Sequence, residues 1–304
     1  MKSDDSSQLG DYEVHKAWEG FASIRQISSG EIMHSRTAPM DEARQLYVEQ
    51  SHLAERLRTN SENEQPLVLW DVGLGAAANA MAAIECYEEV PAARPLRIVS
   101  FENDLDSLRL ALRHQEEFPY LRVDAVKGLL GHGHWQSQNH AGLSWLLVPG
   151  DFRKVMSHAS APDVIFYDMF STKTSAQLWT AATFRQVFHA CAGQAAELFT
   201  YTCSTANRAA FLAAGFYVAR GRNAGEKLET TIALTPVALQ HGLAERRELL
   251  GRDWLAKWEK SAAKFPGDIA PNERPAFEKI IREHEQFRNL PDPERLLSTA
   301  MISD

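Results

Sequence analysis

The sequence predicts an α/β protein built on a parallel sheet with a Rossmann-like arrangement, and three observations lead to this prediction. Short apolar strands such as "PLVLWDV" and "LRIVSFE" alternate with helical segments through the middle of the chain. A glycine turn, "GLGAAAN", directly follows the first of these strands. Carboxylates stand where several strands end, and ligands bind beyond the carboxyl ends of such strands. The sheet is therefore expected to carry a ligand site at that edge.

The elements before the sheet are expected to cover residues 1–60. The first fourteen or so residues are predicted to be a mobile tail, and Ser23–Ser35 to be a hairpin around Ser-Ser-Gly. From Met40 to Arg58 apolar residues recur at helical spacing, and Gln50 is the only polar member of that stripe. We predict one helix with one buried face.

The main α/β domain is predicted at residues 61–238. Its later strands are expected in "LSWLLVPGD", "PDVIFYDMF", "AELFTYTC", "FYVARG" and "ETTIAL", with a glycine- and histidine-rich connection before the first of these. Residues 239–304 are predicted to be a C-terminal helical extension. Trp254 and Trp258 are four residues apart and are expected to dock that extension on the core.

Composition excludes several classes of protein. The chain of 304 residues has a net charge of -8, which argues against a generally basic nucleic-acid binder but leaves room for a local basic patch. Its three cysteines are scattered, so we expect no disulfide framework, no zinc-thiolate site and a reducing cytoplasm. No apolar run approaches the roughly 20 residues that span a bilayer, and no third ligand accompanies His132 and His134. We expect neither a membrane segment nor a metal.

The glycine turn alone does not identify its ligand. Gly73, Gly75 and Ala78 satisfy the G-x-G-x-x-G/A pattern of dinucleotide binding, so a dehydrogenase has to be considered. Asp71, two residues earlier, would repel a pyrophosphate but attract an ammonium group such as that of S-adenosylmethionine. Glu102 ends the second strand, where a carboxylate can accept hydrogen bonds from both ribose hydroxyls. A helix cap for Asp71 and a solvated strand end for Glu102 are the structural alternatives.

The next two strand ends favour S-adenosylmethionine and an amine acceptor. Asp151 follows the third strand, where it can reach the exocyclic amine of adenine or can simply be a turn residue. Asp168 and Phe170 follow the fourth strand. A carboxylate there can orient an amine or take its proton, and an aromatic ring can stack on a planar group. The four strand ends together predict an S-adenosylmethionine-dependent methyltransferase.

From about Ser23 to Thr235 the sequence resembles the methyltransferase component of the MnmC type. The family's cofactor turn is matched by Asp71, Gly73, Gly75 and Asn79, whereas Ala77 replaces its last glycine. The family's acceptor segment is similar to "DMFSTKTSAQLW", in which Asp168, Phe170 and Trp179 match and Met169, Thr172 and Ser175-Ala176 depart from the pattern. In the closing segment, Gly225, Lys227 and Glu229 match and Leu228 departs.

The resemblance implies a class I methyltransferase that methylates the aminomethyl group of the wobble uridine in tRNA. Nothing after Thr235 resembles an FAD-dependent oxidase, so a stand-alone form is expected. The expected roles are catalytic for Asp168 and Phe170, cofactor-binding for Asp71, Gly73, Gly75, Asn79, Glu102, Asp151 and Asp168, and substrate-binding for Lys173, Trp179 and Lys227. Whether Asp168 acts as a base or only positions the acceptor stays open, as does the oligomeric state.

Positive charge that could bind tRNA is expected near the site at Arg220, Arg222 and Lys227. Lys173 adds a further charge in the acceptor loop, the loop within "DMFSTKTSAQLW". A second basic cluster, from Arg246 to Lys264, alternates with acidic residues and is better explained as an ion-paired, solvated face. Two alternatives therefore stand beside the tRNA enzyme. One is a methyltransferase for a small-molecule or peptide amine, and the other is a non-catalytic binding protein on this fold.

Overall fold

The structure is a computed structural model, and it describes residues 7–58, 65–222, 229–240 and 247–288. The strands are β1 Gln8–Leu9, β2 Tyr12–Lys16, β3 Ala22–Gln26, β4 Leu67–Val72, β5 Leu96–Glu102, β6 His134–Gln136, β7 Leu143–Pro149, β8 Val164–Tyr167, β9 Glu197–Thr200, β10 Tyr217–Gly221, β11 Thr230–Leu234 and β12 Glu248–Leu249. The helices are α1 Pro39–Ala43, α2 Leu53–Arg58, α3 Ala78–Glu89, α4 Asp106–Arg113, α5 Val123–His132, α6 Phe152–Val155, α7 Ala181–Ala190, α8 Thr205–Ala214, α9 Arg252–Lys260, α10 Arg274–Arg282 and α11 Glu285–Arg288.

The main sheet has nine strands in the order β12-β10-β11-β9-β8-β4-β5-β7-β6. Strands β4, β5, β7, β8 and β9 run parallel, β11 pairs antiparallel with β9, and β10 pairs antiparallel with β11. From β4 the chain builds outward through β5 and β7 on one side and then through β8 and β9 on the other. Such a switch point opens a crevice at the carboxyl ends of the strands. The predicted Rossmann-like fold is confirmed.

Both faces of the sheet are covered, which explains why β4 is buried along its whole length. Leu67 and Leu69 join one core cluster, whereas Val68, Trp70 and Val72 join the other, because successive side chains of a strand point to opposite faces. An uninterrupted apolar strand is typical of such a doubly covered parallel sheet. Within the described part of the chain, no helix is long and apolar enough to cross a membrane.

The N-terminal region is more ordered than predicted. Strands β1, β2 and β3 form a separate antiparallel sheet, so the expected mobile tail is wrong for residues 8–14. Tyr12 is buried, and β2 packs on α4, which ties the strand to the main domain. The hairpin joins β2 to β3, one strand earlier than predicted. The predicted partner segment after β3 makes only a single bridge, Arg25 with Ile32.

The predicted helix from Met40 to Arg58 is present but divided. α1 leads into a π-helical stretch, Arg44–Glu49, and α2 starts after His52, whose φ of 52° is left-handed. Gln50, the polar member of the stripe, is buried, and its Oε1 accepts hydrogen bonds from the backbone N–H of Arg222 (2.8 Å) and the hydroxyl of Thr230 (3.2 Å). The buried polar side chain of Gln50 thus finds its hydrogen-bond donors in residues that are distant in sequence.

The C-terminal segment packs on the main domain. Trp254 and Trp258 are buried, as expected from their spacing, and α10 contacts α8. The side-chain amide of Gln286 donates to the carbonyls of Val218 and Leu250, and its oxygen accepts from the N–H of Val218. β12 adds an edge strand beside β10. The glycine- and histidine-rich connection contains two elements that the sequence did not predict, α5 and β6.

Candidate active site

A cavity of about 880 Å³ opens at the carboxyl ends of β4, β5, β7 and β8. The glycine turn after β4 forms its floor, and the segments after β5, β7 and β8 form its walls. The segment between β3 and α1 covers one side. Of the residues predicted for the site, Gly73, Gly75, Asn79, Glu102, Asp151, Asp168 and Phe170 line this one cavity.

The two glycines of the turn are required by both conformation and space. Gly73 has a φ of 92° and Gly75 a φ of 51°, in the region that side chains disfavour. A Cβ on Gly73 would lie 2.6 Å from the carbonyl oxygen of Asp168, and one on Gly75 would lie 3.0 Å from the sulfur of Met33. Ala77, which replaces the family's last glycine, also adopts a left-handed conformation, with a φ of 65°.

Asp71 lies beneath the turn and not in the cavity wall. Its side chain is fully buried, and Oδ2 accepts a hydrogen bond from the Ser100 hydroxyl (2.7 Å), which itself accepts one from Trp145 Nε1 (2.8 Å). Oδ1 has no hydrogen-bond partner among the described residues. Burial raises the pKa of Asp71 to about 7. The direct contact with a ligand's ammonium group that the sequence suggested would require the turn to move.

Glu102 holds the turn from the neighbouring strand. Oε2 accepts from the N–H of Gly75 (3.2 Å), and Oε1 accepts from the N–H groups of Asn103 (2.9 Å) and Asp104 (3.2 Å). Burial raises the pKa of Glu102, and these backbone donors oppose the rise. Tyr12, which the sequence placed in a tail, lines the same end of the cavity. Burial raises the pKa of its phenol, and Glu102 raises it further.

Asp151 caps α6 and is already well supplied with donors. Its carboxylate accepts from the N–H of Arg153 (3.1 Å) and from two nitrogens of the Arg153 guanidinium (3.0 and 2.6 Å). These bonds lower the pKa of Asp151. Because Arg153 occupies both oxygens, an adenine amine would have to share this carboxylate or displace that side chain. The contacts of Asp151 therefore match the alternative given above, that Asp151 is a turn residue.

Asp168 and Asn79 form the centre of the cavity wall. Asp168 Oδ2 accepts a hydrogen bond from Asn79 Nδ2 at 2.9 Å, which joins the end of β8 to the start of α3. Asn79 is buried, and its Oδ1 has no hydrogen-bond partner within the described ranges. Burial raises the pKa of Asp168. The site therefore presents a carboxylate and an unpaired amide oxygen next to the glycine turn.

The four other residues that were expected at the acceptor are placed differently. Phe170 is half-buried in the cavity wall, and its carbonyl accepts from Trp179 Nε1 at 2.7 Å. Trp179 itself is buried among the rings of Tyr167, Phe184 and Tyr201, so it supports Phe170 from behind and does not line the cavity. Lys173 is exposed in the following loop, outside the cavity lining. Lys227 lies outside the described residues.

No functional role was predicted for the segment between β3 and α1. Glu31, Met33 and His34 of this segment nevertheless line the cavity, together with Glu42 of α1. Glu31 binds the acceptor loop, since its carboxylate accepts from the N–H (2.8 Å) and hydroxyl (3.0 Å) of Ser171 and from the Thr174 hydroxyl (2.5 Å). The acidic and histidine residues within "SGEIMHS" were the available signal, but a single sequence does not distinguish them from surface residues.

Much of the expected positive charge is already neutralised. Arg220 forms ion pairs with Glu229, Glu248 and Asp253. From the second cluster, Arg247 pairs with the buried Glu197, and Lys264 pairs with Glu278. Both residues are ion-paired, as expected, but the side chain of Arg247 is only 6% exposed and does not belong to a solvated face. Among the described residues no group of three His, Cys, Asp or Glu side chains is arranged to hold a metal ion.

Comparisons with known proteins agree with this geometry. Residues 130–236 match the model of a family described as S-adenosyl-L-methionine-dependent methyltransferase. Over 208 residues, 66% of this chain, the sequence is 28% identical to the tRNA 5-methylaminomethyl-2-thiouridine biosynthesis bifunctional protein MnmC of Pseudomonas aeruginosa (strain UCBPP-PA14). It is 25% identical over 228 residues, 71% of this chain, to the protein of the same name from Ectopseudomonas mendocina. The aligned regions make up 32% and 34% of these relatives.

The fold also has a solved counterpart. MnmC2 from Aquifex aeolicus superposes with a TM-score of 0.63 at 20% identity, covering 91% of this chain and 82% of that one. The parallel sheet, the glycine turn and this superposition define a Rossmann-like α/β fold, and residues 130–236 match a family of S-adenosylmethionine-dependent methyltransferases. The relatives are named MnmC, which confirms the resemblance found in the sequence.

Proposed function

We propose that this methyltransferase acts on the aminomethyl group of the wobble uridine in tRNA, converting 5-aminomethyl-2-thiouridine to 5-methylaminomethyl-2-thiouridine. The observation that carries the proposal is the position of Asp168 and Phe170. Both line the same cavity as the glycine turn, and the Asp168 backbone lies against Gly73. A carboxylate and an aromatic ring therefore stand beside the place where the cofactor is expected.

The cavity suits S-adenosylmethionine in three respects. Gly73 and Gly75 leave a backbone cradle that a Cβ would fill. The unpaired Oδ1 of buried Asn79 offers an acceptor to the ammonium end of the methionine moiety. Glu102 lies at the end of β5, where it can accept from ribose hydroxyls. When bound, S-adenosylmethionine supplies a methyl group on a positively charged sulfur, which an amine lone pair attacks.

Asp71 and Asp151 are the two other carboxylates proposed to act on the cofactor. Buried Asp71 acts beneath the turn, through its charge and its bond to Ser100. Asp151 takes the adenine end together with Arg153. The aligned regions cover only about a third of the relatives' length, so the name of those proteins supports tRNA as the substrate here without establishing it.

At the acceptor end, the Asp168 carboxylate attracts the positively charged aminomethyl group, and Phe170 stacks on the uracil ring. The indole N–H of Trp179 donates a hydrogen bond to the backbone carbonyl of Phe170 and so fixes the position of Phe170. Lys173 and Lys227 are assigned to tRNA phosphates, which bind cationic side chains. A cytoplasmic location and the division into 1–60, 61–238 and 239–304 belong to the same proposal.

A small-molecule or peptide amine is the second candidate acceptor. Glu31 and Glu42 add negative charge near Asp168, which suits any cationic amine, and Arg220 is paired with carboxylates and so is less available to phosphate. Non-catalytic binding on this fold is the third candidate.

The experiment compares the acceptors directly. The protein is incubated with S-adenosylmethionine and tRNA bearing 5-aminomethyl-2-thiouridine, and the wobble nucleoside is weighed by mass spectrometry. A gain of one methyl group, abolished in Asp168→Asn and reduced in Phe170→Ala, supports the proposal. Cofactor binding by calorimetry without methylated tRNA would favour another amine, and absence of both would favour the non-catalytic candidate.

A further inference from the structure

His34 and Glu42 form a fixed pair at the acceptor end of the cavity, the end lined by Asp168 and Phe170. His34 Nδ1 lies 3.1 Å from Glu42 Oε2, and the two side chains are only 10% and 20% exposed. The backbone N–H of His34 donates to the hydroxyl of Ser23 at 3.1 Å. Both the main chain and the ring of His34 are therefore held in place.

This pairing determines which nitrogen of His34 can act as a base. When Nδ1–H donates to the Glu42 carboxylate, the neutral imidazole carries its lone pair on Nε2. The carboxylate also stabilises the imidazolium that forms when Nε2 accepts a proton. A histidine oriented by a carboxylate in this way is the usual arrangement of a general base.

The expected reaction needs such a base. An alkyl amine is mostly protonated at neutral pH, and an ammonium nitrogen has no lone pair with which to attack a methyl group. Histidine, with an ordinary pKa near 6.5, accepts a proton at neutral pH more readily than an ordinary carboxylate does. Asp168 is already engaged by Asn79, and as a carboxylate it is suited to hold a cation.

We propose that His34, oriented by Glu42, is the base that takes a proton from the acceptor ammonium, while Asp168 holds that ammonium in position. The inference rests on the proposed function. One N–H bond breaks and leaves its electron pair on the amine nitrogen, and the proton bonds to His34 Nε2. Glu42 balances the positive charge, and the proton then passes to water at the cavity mouth.

The electrostatics of the cavity agree with this division of roles. Burial raises the pKa of Asp168, positively charged His34 lowers it, and Glu42 raises it. The same carboxylates raise the pKa of the Tyr201 phenol beyond the effect of burial. Among the described residues, the titratable and charged groups around His34 and Asp168 include Glu31, Arg36, Glu42, Tyr47, Asp71 and Tyr201.

The kinetic test compares His34→Gln with a matched control, His132→Gln, which changes an exposed histidine outside the cavity. We expect kcat for tRNA methylation at pH 7 to fall about 10²–10⁴-fold in His34→Gln, with the Kd for S-adenosylmethionine unchanged. The deficit should shrink as pH rises, because the free amine then forms unaided. Asp168→Asn should lose methylation chiefly through a raised KM for tRNA, so its activity should return in part at high tRNA concentration. A kcat within twofold of wild type and an unchanged pH profile in His34→Gln would overturn the proposal.

A second measurement needs no acceptor. The pKa of the Asp168 carboxyl, followed by carbon NMR of labelled aspartate and assigned with Asp168→Asn, should rise in His34→Gln and fall in Glu42→Gln. These opposite shifts test whether charged His34 and Glu42 act on Asp168, as the proposed division of roles requires. If wild type leaves tRNA unmethylated but both shifts occur, the tRNA assignment fails and the His34 pair stands. If neither shift occurs, the proposal fails whatever the acceptor.

Discussion

Replacing Asp71 with asparagine should make the protein less stable than wild type at acid pH and more stable than wild type at alkaline pH. Asp71 is fully buried, and the Ser100 hydroxyl is its one hydrogen-bond donor among the described residues. Burial of the charge raises the pKa of Asp71 from an ordinary value of 3.8 to about 7. The folded protein thus carries an unfavourable charge that asparagine removes.

The size of the effect follows from the two pKa values. Between 3.8 and about 7 the folded state holds a proton that the unfolded chain has released, so the free energy of unfolding falls as pH rises through that window. Above the window the accumulated loss is about 4 kcal/mol. The new amide adds an N–H in a buried site, which costs about 1–3 kcal/mol at every pH. The pH-dependent difference between the proteins should therefore approach about 4 kcal/mol.

The assay is urea unfolding of wild type, Asp71→Asn and a control, Asp41→Asn, at intervals from pH 4 to pH 8 without cofactor. Asp41 is exposed on α1, so its variant should follow wild type. The free energy of unfolding of Asp71→Asn, relative to that of wild type, should increase steadily as the pH rises above 4. A difference in the free energy of unfolding that stays constant across this range would refute the argument that Asp71 is buried with a raised pKa.

Three other substitutions test the turn and the acceptor loop. Gly73→Ala should abolish measurable cofactor binding by calorimetry and lower stability by at least about 1–2 kcal/mol, because its Cβ meets the Asp168 carbonyl at positive φ; unchanged binding would contradict this. Ala77→Gly should stay within about 1 kcal/mol of wild type in thermal unfolding, since relief of a left-handed alanine offsets the lost methyl group and added chain entropy. Glu31→Gln should raise the KM for the acceptor and leave cofactor affinity unchanged, because the carboxylate binds Ser171 in the acceptor loop. An equal loss of affinity for acceptor and cofactor would contradict this role of Glu31.

The alternating part of the fold was predictable from the sequence for a physical reason. Strands buried on both faces are continuous apolar runs, and "LRIVSFE" occupies β5, Leu96–Glu102, without a shift. The N-terminal strands were not predictable in this way. β2 is short and partly exposed, and its burial depends on α4, which lies far along the chain.

For the candidate site, too, some features were predictable from the sequence and others were not. Residues at strand ends were found because parallel strands bring their carboxyl ends together, so Glu102, Asp151 and Asp168 share one cavity. What each side chain touches was not predictable. Asp71 turned out to be buried beneath the turn, and His34 reaches the cavity from a segment that is distant in sequence.

The central claim is that this cavity places a methyl donor beside an amine held at Asp168. The most direct measurement is a single turnover with S-adenosylmethionine labelled in its methyl group and tRNA bearing 5-aminomethyl-2-thiouridine, followed by nuclease digestion. The account predicts one labelled methyl group per tRNA, found in 5-methylaminomethyl-2-thiouridine, and its loss in Asp168→Asn. Label in a different nucleoside, or cofactor bound with no label in tRNA, would contradict it.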